Sequence, residues 1–139
     1  MKIAIITDTH FGARNDSVQF DEYFYQFYEG QFFPYLQKNN IKTVLHLGDV
    51  LDRRKFVSYR IAKNFRERFI LPFQALDIEL HALVGNHDIF YKNTNDVNSL
   101  QELINERYKK IHLYPEAQEV IFDGLPILLM PWINSQNYV

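Results

Sequence analysis

Three short polar clusters in the sequence carry the groups that could do chemistry. They read Asp8-Thr9-His10-Phe11-Gly12, Gly48-Asp49-Val50-Leu51-Asp52-Arg53 and Gly85-Asn86-His87-Asp88. Carboxylate, imidazole and carboxamide groups without sulfur suit a divalent cation that prefers oxygen and nitrogen donors. Two such cations roughly 3.5–4 Å apart stabilise the attacking and leaving oxygens of a displacement at phosphorus. Each cluster alone is also typical of a turn, but together they predict a metal site built from Asp8, His10, Asp49 and Asn86.

An apolar run precedes each polar cluster and predicts a buried strand. The runs span residues 2–7, 43–47 and 78–84, and they are separated by stretches with helical periodicity. The order strand, helix, strand, helix, strand is typical of an α/β domain with a parallel sheet. Because crossovers of this kind have one hand, the carboxyl ends of the strands meet at one edge, where ligands bind in open sheets. The topology therefore predicts that the three clusters converge.

Three helices are predicted between and after these strands. The first covers 18–38, and Gly30 and Pro34 predict a kink or break in its second half. The second begins at the N-cap Ser58 and is limited by Pro72. The third begins at Asn95 or Asp96 and extends to about 108. Their apolar stripes are Phe20, Phe24 and Phe27 in the first, Ile61, Phe65 and Phe69 in the second, and Val97, Leu100 and Ile104 in the third.

Shorter apolar runs follow at 111–114, 119–122 and 125–130. The last two are joined by Asp123-Gly124, which is a strong signal for a β-hairpin.

Composition narrows the class of protein. The chain has 139 residues, 47% hydrophobic and 23% charged, which excludes disordered and low-complexity classes. With no cysteine, there is no disulfide framework, thiolate zinc site or cysteine nucleophile. The net charge of −2 means that any contact with nucleic acid depends on a local patch. No run reaches the roughly 18 apolar residues of a membrane span, and no signal peptide is present, so we expect a cytoplasmic protein.

One basic patch begins directly after the second polar cluster. Its members are Arg53, Arg54, Lys55, Arg60, Lys63, Arg66 and Arg68. Such a patch could hold a phosphate backbone, and the residues nearest the cluster, Arg53, Arg54 and Lys55, are the candidates for substrate binding. For Lys63 and Arg66 a solvated helix face is a nearly equal alternative.

The remaining histidines are expected to have structural roles. His46 lies in a buried strand and is predicted to be a core residue with satisfied hydrogen bonds. His81 and His112 lie in strand-like segments with no companion ligand, which argues against metal binding at either. The aromatic stripe of the first helix repeats at helical spacing, so we interpret it as core or partner surface and not as a base-stacking platform.

The three clusters, in this order, resemble the signature of calcineurin-like metallophosphoesterases. The carrying residues are Asp8-x-His10, Gly48-Asp49-x-x-Asp52 and Gly85-Asn86-His87-Asp88. Within that superfamily they are most similar to the SbcD-type double-strand-break-repair nucleases, which include bacteriophage recombination nucleases. The resemblance implies a βαβαβ parallel sheet with helices on its faces, forming half of a two-sheet αββα sandwich.

The resemblance also implies residue roles. Asp8 and His10 would hold a first metal ion, Asp49 would bridge two ions, and Asn86 would bind the second. His87 would be the general acid for the leaving oxygen, and Asp52 would orient it. Asp88 is expected in a turn or cap. The cofactors would be two divalent ions, with Mn²⁺ preferred over Mg²⁺, Fe²⁺ or Zn²⁺.

The implied function is hydrolysis of DNA phosphodiester bonds by a nuclease subunit that works with an SbcC-type ABC ATPase, in the host cytoplasm if the protein is viral. A homodimer through helices near 58–70 and 96–108 is expected. Two alternatives remain open, namely a metallophosphoesterase for another substrate (a cyclic nucleotide, nucleotide ester or phosphoprotein) and a non-catalytic dimerisation or docking module.

The number of ligands suggests that the site needs more residues. Two octahedral-like cations offer about ten positions, whereas the chain supplies four convincing ligands. The family takes further histidines from later motifs, including a Gly-His-x-His, and no histidine follows His112. We therefore expect residues 1–139 to be the N-terminal portion of a nuclease domain. Alone, this portion would bind metal weakly and have little or no activity.

Overall fold

The computed structural model describes residues 1–11, 17–51, 58–83, 89–91, 94–98 and 108–131, with only the backbone described for 89–91 and 94–98. A four-stranded parallel sheet organises this part of the chain, in the order β1-β2-β3-β6. Its strands are β1 Ile3–Ile6, β2 Thr43–His46, β3 Glu79–Leu83 and β6 Ile111–Tyr114. The predicted parallel α/β fold is confirmed, and the run at 111–114 supplies its fourth strand.

Two long helical segments connect the first three strands, and each contains a π-helical stretch. The first segment, α1, is α-helical over Val18–Phe27, π-helical over Tyr28–Phe32 and α-helical over Phe33–Lys38. The second, α2, is α-helical over Tyr59–Asn64, π-helical over Phe65–Ile70 and α-helical over Leu71–Ala75. Ser58 caps α2 as predicted, because its Oγ accepts the N–H of Ile61 at 3.2 Å.

Neither proline ends its helix. The prediction that Pro72 limits α2 is wrong, since the helix continues to Ala75. Proline inside an α-helix removes an N–H and pushes against the carbonyl four residues earlier. In both helices the proline is the second residue of the last α-helical segment, which follows the π-helical stretch. The wider π turn changes the hydrogen-bonding pattern just before the proline, which lets the helix pass it.

The buried face of α1 differs from the predicted aromatic stripe. Tyr25 and Tyr28 are buried in the core, whereas Phe27 is 45% exposed. Both stripes repeat at helical spacing, so periodicity could not choose between them. The buried stripe begins at Asp21, a residue that the sequence alone would place outside. Its carboxylate is paired inside the fold with side chains of α2.

Polar contacts join α1 to α2. Asp21 accepts hydrogen bonds from Asn64 Nδ2 at 3.1 Å and Arg60 Nη1 at 3.4 Å, while burial raises the pKa of its carboxyl. Arg68 forms ion pairs with Glu22, at 2.7 Å, and Glu29. Two cations of the predicted basic patch therefore link helices within the chain.

The main core lies between the helices and one face of the sheet. Val44, Leu80 and Ile111 of the sheet pack there against buried residues of α1 and α2. The apolar stripe of α2, Ile61, Phe65 and Phe69, is at most 1% exposed and packs inside the chain. It is therefore not the exposed stripe that subunit pairing through residues 58–70 would use.

The opposite face of the sheet contacts a β-hairpin. Strands β7 Gln118–Phe122 and β8 Leu125–Leu129 pair antiparallel. Asp123 and Gly124 connect them with φ angles of 50° and 84°, so the predicted hairpin is confirmed. Leu129 packs against Leu83 and Tyr114 of the sheet.

The start of the predicted third helix is wrong. Instead of a helix from Asn95 or Asp96, the chain forms β5 Thr94–Asn98, which pairs antiparallel with β4 Ile89–Tyr91. The β-branched and aromatic residues Ile89, Phe90 and Tyr91 favour a strand and supply a partner nearby in sequence. Residues 99–107 lie outside the described part. In that part, no helix is both long and apolar enough to cross a membrane.

Candidate metal centre at the strand ends

The loops after β1 and β2 are joined by backbone hydrogen bonds that extend the parallel pairing. The amide N–H groups of Asp8, His10 and Phe11 donate to the carbonyls of Gly48, Asp49 and Val50, at 3.0, 3.0 and 2.8 Å. A bridge between Phe11 and Leu51 ends this pairing. The first two polar clusters are therefore held side by side by the backbone itself.

The backbone turns sharply at the residues that carry the polar groups. Asp8, His10 and Asp49 have φ angles of 55°, 45° and 54°, and Gly48 has a φ of 112°. The left-handed region is uncommon for residues other than glycine, but Asp, Asn and His are enriched there. Strained backbone clusters at functional sites, where the surrounding structure maintains it.

Donor atoms of Asp8, His10 and Asp49 lie within 4.8 Å of one another, and we call these three residues the edge cluster. His10 Nε2 is 3.4 Å from Asp8 Oδ1. The hydroxyl of Thr7 donates to Asp8 Oδ2 at 2.7 Å and lowers the pKa of this carboxyl, with Asp49 and His10 adding to the effect. Asp8 is thus ionised at neutral pH. Two carboxylates and one imidazole suit a divalent cation with oxygen and nitrogen ligands.

The buried His46 forms hydrogen bonds with both loops that carry the edge cluster. His46 is fully buried, its Nδ1 accepts the N–H of Gly48 at 3.1 Å, and its Nε2 lies 2.9 Å from Thr9 Oγ1. Since Thr9 Oγ1 donates to the carbonyl of Val50 at 3.0 Å, it accepts from a protonated Nε2 of His46. Burial lowers the pKa of His46 to about 3 and keeps the ring neutral. The prediction of a satisfied core histidine is confirmed.

A cleft opens beside Asp8, between the end of β1 and α1. Its volume is about 630 Å³, and its wall includes Thr9 and the rings of Tyr23, Phe24 and Phe27. Tyr23 is 69% exposed. The outer aromatic stripe of α1 therefore borders the edge cluster.

Several predicted site residues lie outside the described residues. These are the metal ligand Asn86, the catalytic residues His87 and Asp52, the turn residue Asp88, and the basic residues Arg53, Arg54 and Lys55. Of the predicted metal ligands, the structure brings together Asp8, His10 and Asp49.

The structure also reveals a second cluster of donors that the sequence reasoning missed. The prediction that His81 and His112 have no companion ligand is wrong, because Glu79, His81 and His112 place donor atoms within 4.8 Å of one another. We call these residues the face cluster, since they lie on the sheet face opposite the helices. The alternation of Glu79 and His81 was visible in the sequence, but the pairing of β3 with β6 was not.

Comparisons with known proteins agree with the geometry at the edge of the sheet. The model of the family described as calcineurin-like phosphoesterase matches residues 1–136. The chain is 34% identical to Exonuclease subunit 1 of Enterobacteria phage T4 over 142 residues, which is 99% of this chain and 40% of that protein. The chain thus spans less than half the length of this relative.

A solved structure, a protein of unknown function from Aquifex aeolicus, matches 91% of this chain and 57% of its own, with 21% identity and a TM-score of 0.40. A likeness of this size carries no argument about function. The family model, in contrast, matches nearly all of the sequence. The chain therefore belongs to the calcineurin-like phosphoesterase family.

Proposed function

We propose that the protein is a metal-dependent phosphodiesterase that hydrolyses DNA as a nuclease subunit in recombination or repair. The convergence of Asp8, His10 and Asp49 at the carboxyl edge of a parallel sheet is the observation that carries the proposal. Membership of a phosphoesterase family supports hydrolysis, and the likeness to an exonuclease subunit favours DNA as the substrate.

Asp8, His10 and Asp49, together with the neutral amide oxygen of Asn86, would hold the two divalent ions. Carboxylate and amide oxygens with a single imidazole favour Mn²⁺, and they also accept Mg²⁺, Fe²⁺ or Zn²⁺. When bound, such a pair supplies positive charge that stabilises the attacking and leaving oxygens of the phosphoryl displacement. The lowered pKa of Asp8 keeps this carboxylate available for binding at neutral pH.

Other side chains carry out proton transfer and bind the phosphate backbone of the substrate. We propose that His87 donates a proton to the oxygen that leaves the phosphorus and that Asp52 orients His87. Arg53, Arg54 and Lys55 contact the phosphate backbone. The cleft beside Asp8 presents exposed Tyr23 and Phe27. It has room for an apolar group of the substrate.

The protein works with other subunits, as the word subunit in the name of its phage relative suggests. We propose an SbcC-type ATPase as the partner, a homodimer, and action on DNA in the cytoplasm, or in the host cytoplasm if the protein is viral. Since the apolar stripe of α2 is buried, the exposed Tyr59 is a better contact residue for the dimer near 58–70. Measuring the subunit mass in solution with and without Tyr59→Glu tests this, and an unchanged dimer mass removes the Tyr59 contact.

The ligand count favours contributions from further residues. Asp8, His10, Asp49 and Asn86 fill only about half of the about ten positions around two octahedral ions. We therefore propose that residues 1–139 form an N-terminal portion of the nuclease domain and cleave DNA poorly by themselves. Comparing the 139-residue chain with the protein expressed from its natural reading frame tests this, since full Mn²⁺-dependent cleavage by the chain alone contradicts it.

The experiment that tests the function is a cleavage assay with end-labelled linear DNA and Mn²⁺, using protein from the natural reading frame. Asp49→Asn is the informative variant, because asparagine tolerates the left-handed backbone at this position but removes the charge. We expect cleavage to fall by about 100-fold or more. Asp77→Asn is the matched control. Asp77 also has a left-handed backbone (φ 58°), and it pairs with Lys110 away from the edge cluster.

Parallel assays with a cyclic nucleotide, a nucleotide ester and a phosphopeptide separate DNA from other substrates of a phosphoesterase. Preference for DNA supports the proposal, whereas faster turnover of a small phosphoester assigns the site to that substrate instead. Equal activity of Asp49→Asn and Asp77→Asn contradicts the role of the edge cluster.

A further inference from the structure

The face cluster is built on regular strands. Glu79 and His81 are two residues apart on β3, so their side chains lie on the same face of the sheet. His112 on β6 is the register partner of His81. Adjacent strands lie about 4.8 Å apart, which brings the two imidazoles together. Their ring centroids are 4.6 Å apart, with 16° between the planes.

One nitrogen of the face cluster is buried without a hydrogen bond. His112 Nε2 is inaccessible to solvent and forms no hydrogen bond with the described residues. It faces Glu79 Oε1 at 3.5 Å. A buried polar atom without a hydrogen bond carries a free-energy cost. A cation between Glu79 and His112 would remove that cost.

The second imidazole is already oriented. His81 Nδ1 is 2.6 Å from the hydroxyl of Tyr114, and the ring of Phe122 meets His81 edge-on with centroids 5.0 Å apart. Histidines that bind metals commonly use the other ring nitrogen in such a contact, which fixes the orientation of the ring. The Nε2 of His81 is therefore the nitrogen left for a ligand.

We propose that Glu79, His81 and His112 form a second metal site, specific for Zn²⁺ or a similar transition-metal ion and separate from the edge cluster. Two imidazoles and one carboxylate, with a fourth position open, are a ligand set typical of zinc. The side chains of Glu79 and His112 are 46% and 37% exposed, which leaves a path for an ion. The edge cluster has two carboxylates and one imidazole and favours harder ions.

The test is a titration of the full chain with Zn²⁺ against a chromophoric chelator, in excess Mg²⁺. Every sample carries Asp49→Asn, which weakens metal binding at the edge cluster, so that the titration measures Zn²⁺ binding at the face cluster. We expect one equivalent of Zn²⁺ to bind, and Co²⁺ to give the visible spectrum of a four- or five-coordinate ion. Adding Glu79→Gln or His112→Gln should weaken Zn²⁺ binding at least about tenfold.

Two further variants separate binding from folding. Tyr114→Phe leaves the ligands in place but removes the contact to His81, so we expect Zn²⁺ affinity to fall about tenfold. Glu119→Gln removes an exposed carboxylate of β7 outside the cluster and should change nothing. Circular dichroism shows that each variant is folded. Unchanged Zn²⁺ affinity in folded Glu79→Gln and His112→Gln overturns the proposal, as does the absence of a bound equivalent in the Asp49→Asn background.

Discussion

The edge cluster and the face cluster place similar donor groups by different means. Asp8, His10 and Asp49 lie on loops, at left-handed backbone positions that hydrogen bonds between two loops keep in place. Glu79, His81 and His112 need no special backbone, because strand alternation and register bring them together. The edge cluster is therefore the one whose geometry depends on residues behind it.

His46 shows this dependence most clearly. It forms hydrogen bonds with Gly48, which precedes Asp49, and with Thr9, which lies between Asp8 and His10. In the face cluster, the hydroxyl of Tyr114 contacts the ring of His81. Substitutions behind the edge cluster should consequently affect both stability and the site. Substitutions in the face cluster should affect mainly metal binding.

The largest expected effect is on DNA cleavage, which should depend on the edge cluster and not on the face cluster. Asp8→Asn should reduce Mn²⁺-dependent DNA cleavage by about 100-fold or more, whereas Glu79→Gln should leave it within about twofold. Both substitutions replace a carboxylate with an amide of the same shape. End-labelled DNA and protein from the natural reading frame provide the measurement. Comparable losses in the two variants would break the distinction between the clusters.

The second prediction compares two histidine substitutions in metal-free protein. His46→Leu leaves the buried N–H of Gly48 and the hydroxyl of Thr9 without their partner, so the free energy of unfolding should fall by about 2–3 kcal/mol. His112→Leu removes a buried nitrogen that forms no hydrogen bond with the described residues, so the free energy of unfolding should stay the same or rise. Urea unfolding measures both. A loss of stability in His112→Leu would show that the face cluster supports the fold without metal.

The third prediction concerns pH. The pKa of His46 is lowered to about 3 in the fold, against an ordinary value of 6.5. Below pH 6.5 the unfolded chain binds a proton at this residue that the folded chain does not bind. The stability contributed by this residue is complete above pH 6.5 and is lost toward pH 3, at about 1.4 kcal/mol per pH unit.

Urea unfolding from pH 7 to pH 4.5 measures this slope. His46→Gln should reduce the change in the free energy of unfolding per pH unit by the contribution of one titrating group. The slope that remains includes His81, whose pKa is also lowered. An unchanged slope in His46→Gln would mean that His46 is not the neutral buried group described above.

The smallest expected effect is on the face cluster. Tyr114→Phe removes one buried hydrogen bond, to His81, and should lower the free energy of unfolding of metal-free protein by about 1 kcal/mol. Activity on DNA should not change. Urea unfolding and the cleavage assay test the two parts separately, and a clear loss of cleavage would connect the two clusters.

Sequence reasoning found the edge cluster because its geometry follows from topology. Asp8 and Asp49 follow neighbouring strands, and parallel strands deliver their carboxyl ends to one edge. The turn at Asp123-Gly124 could also be predicted, because its signal lies in two adjacent residues. The pairing of His81 with His112 depends on which strands become neighbours and in what register, and thirty residues separate them. No periodicity within either strand contains that information.

The helices show a related limit. Tyr25 and Phe24 lie on adjacent aromatic stripes of α1, and the choice of the inner stripe depends on a buried Asp21 that Asn64 and Arg60 satisfy from the other helix. The continuation past Pro72 depends on a π-helical stretch that no local signal marked. In both cases tertiary contacts overrode local preference.

The left-handed backbone at residues 8, 10 and 49 has a consequence for how this chain tolerates mutation over time. Apart from glycine, the residues that accept such a conformation readily are asparagine, aspartate and histidine. These are also the residue types that bind divalent cations. Selection for folding alone would therefore keep ligand-competent residues at the three positions, so that a lineage which lost catalysis could regain it by few substitutions.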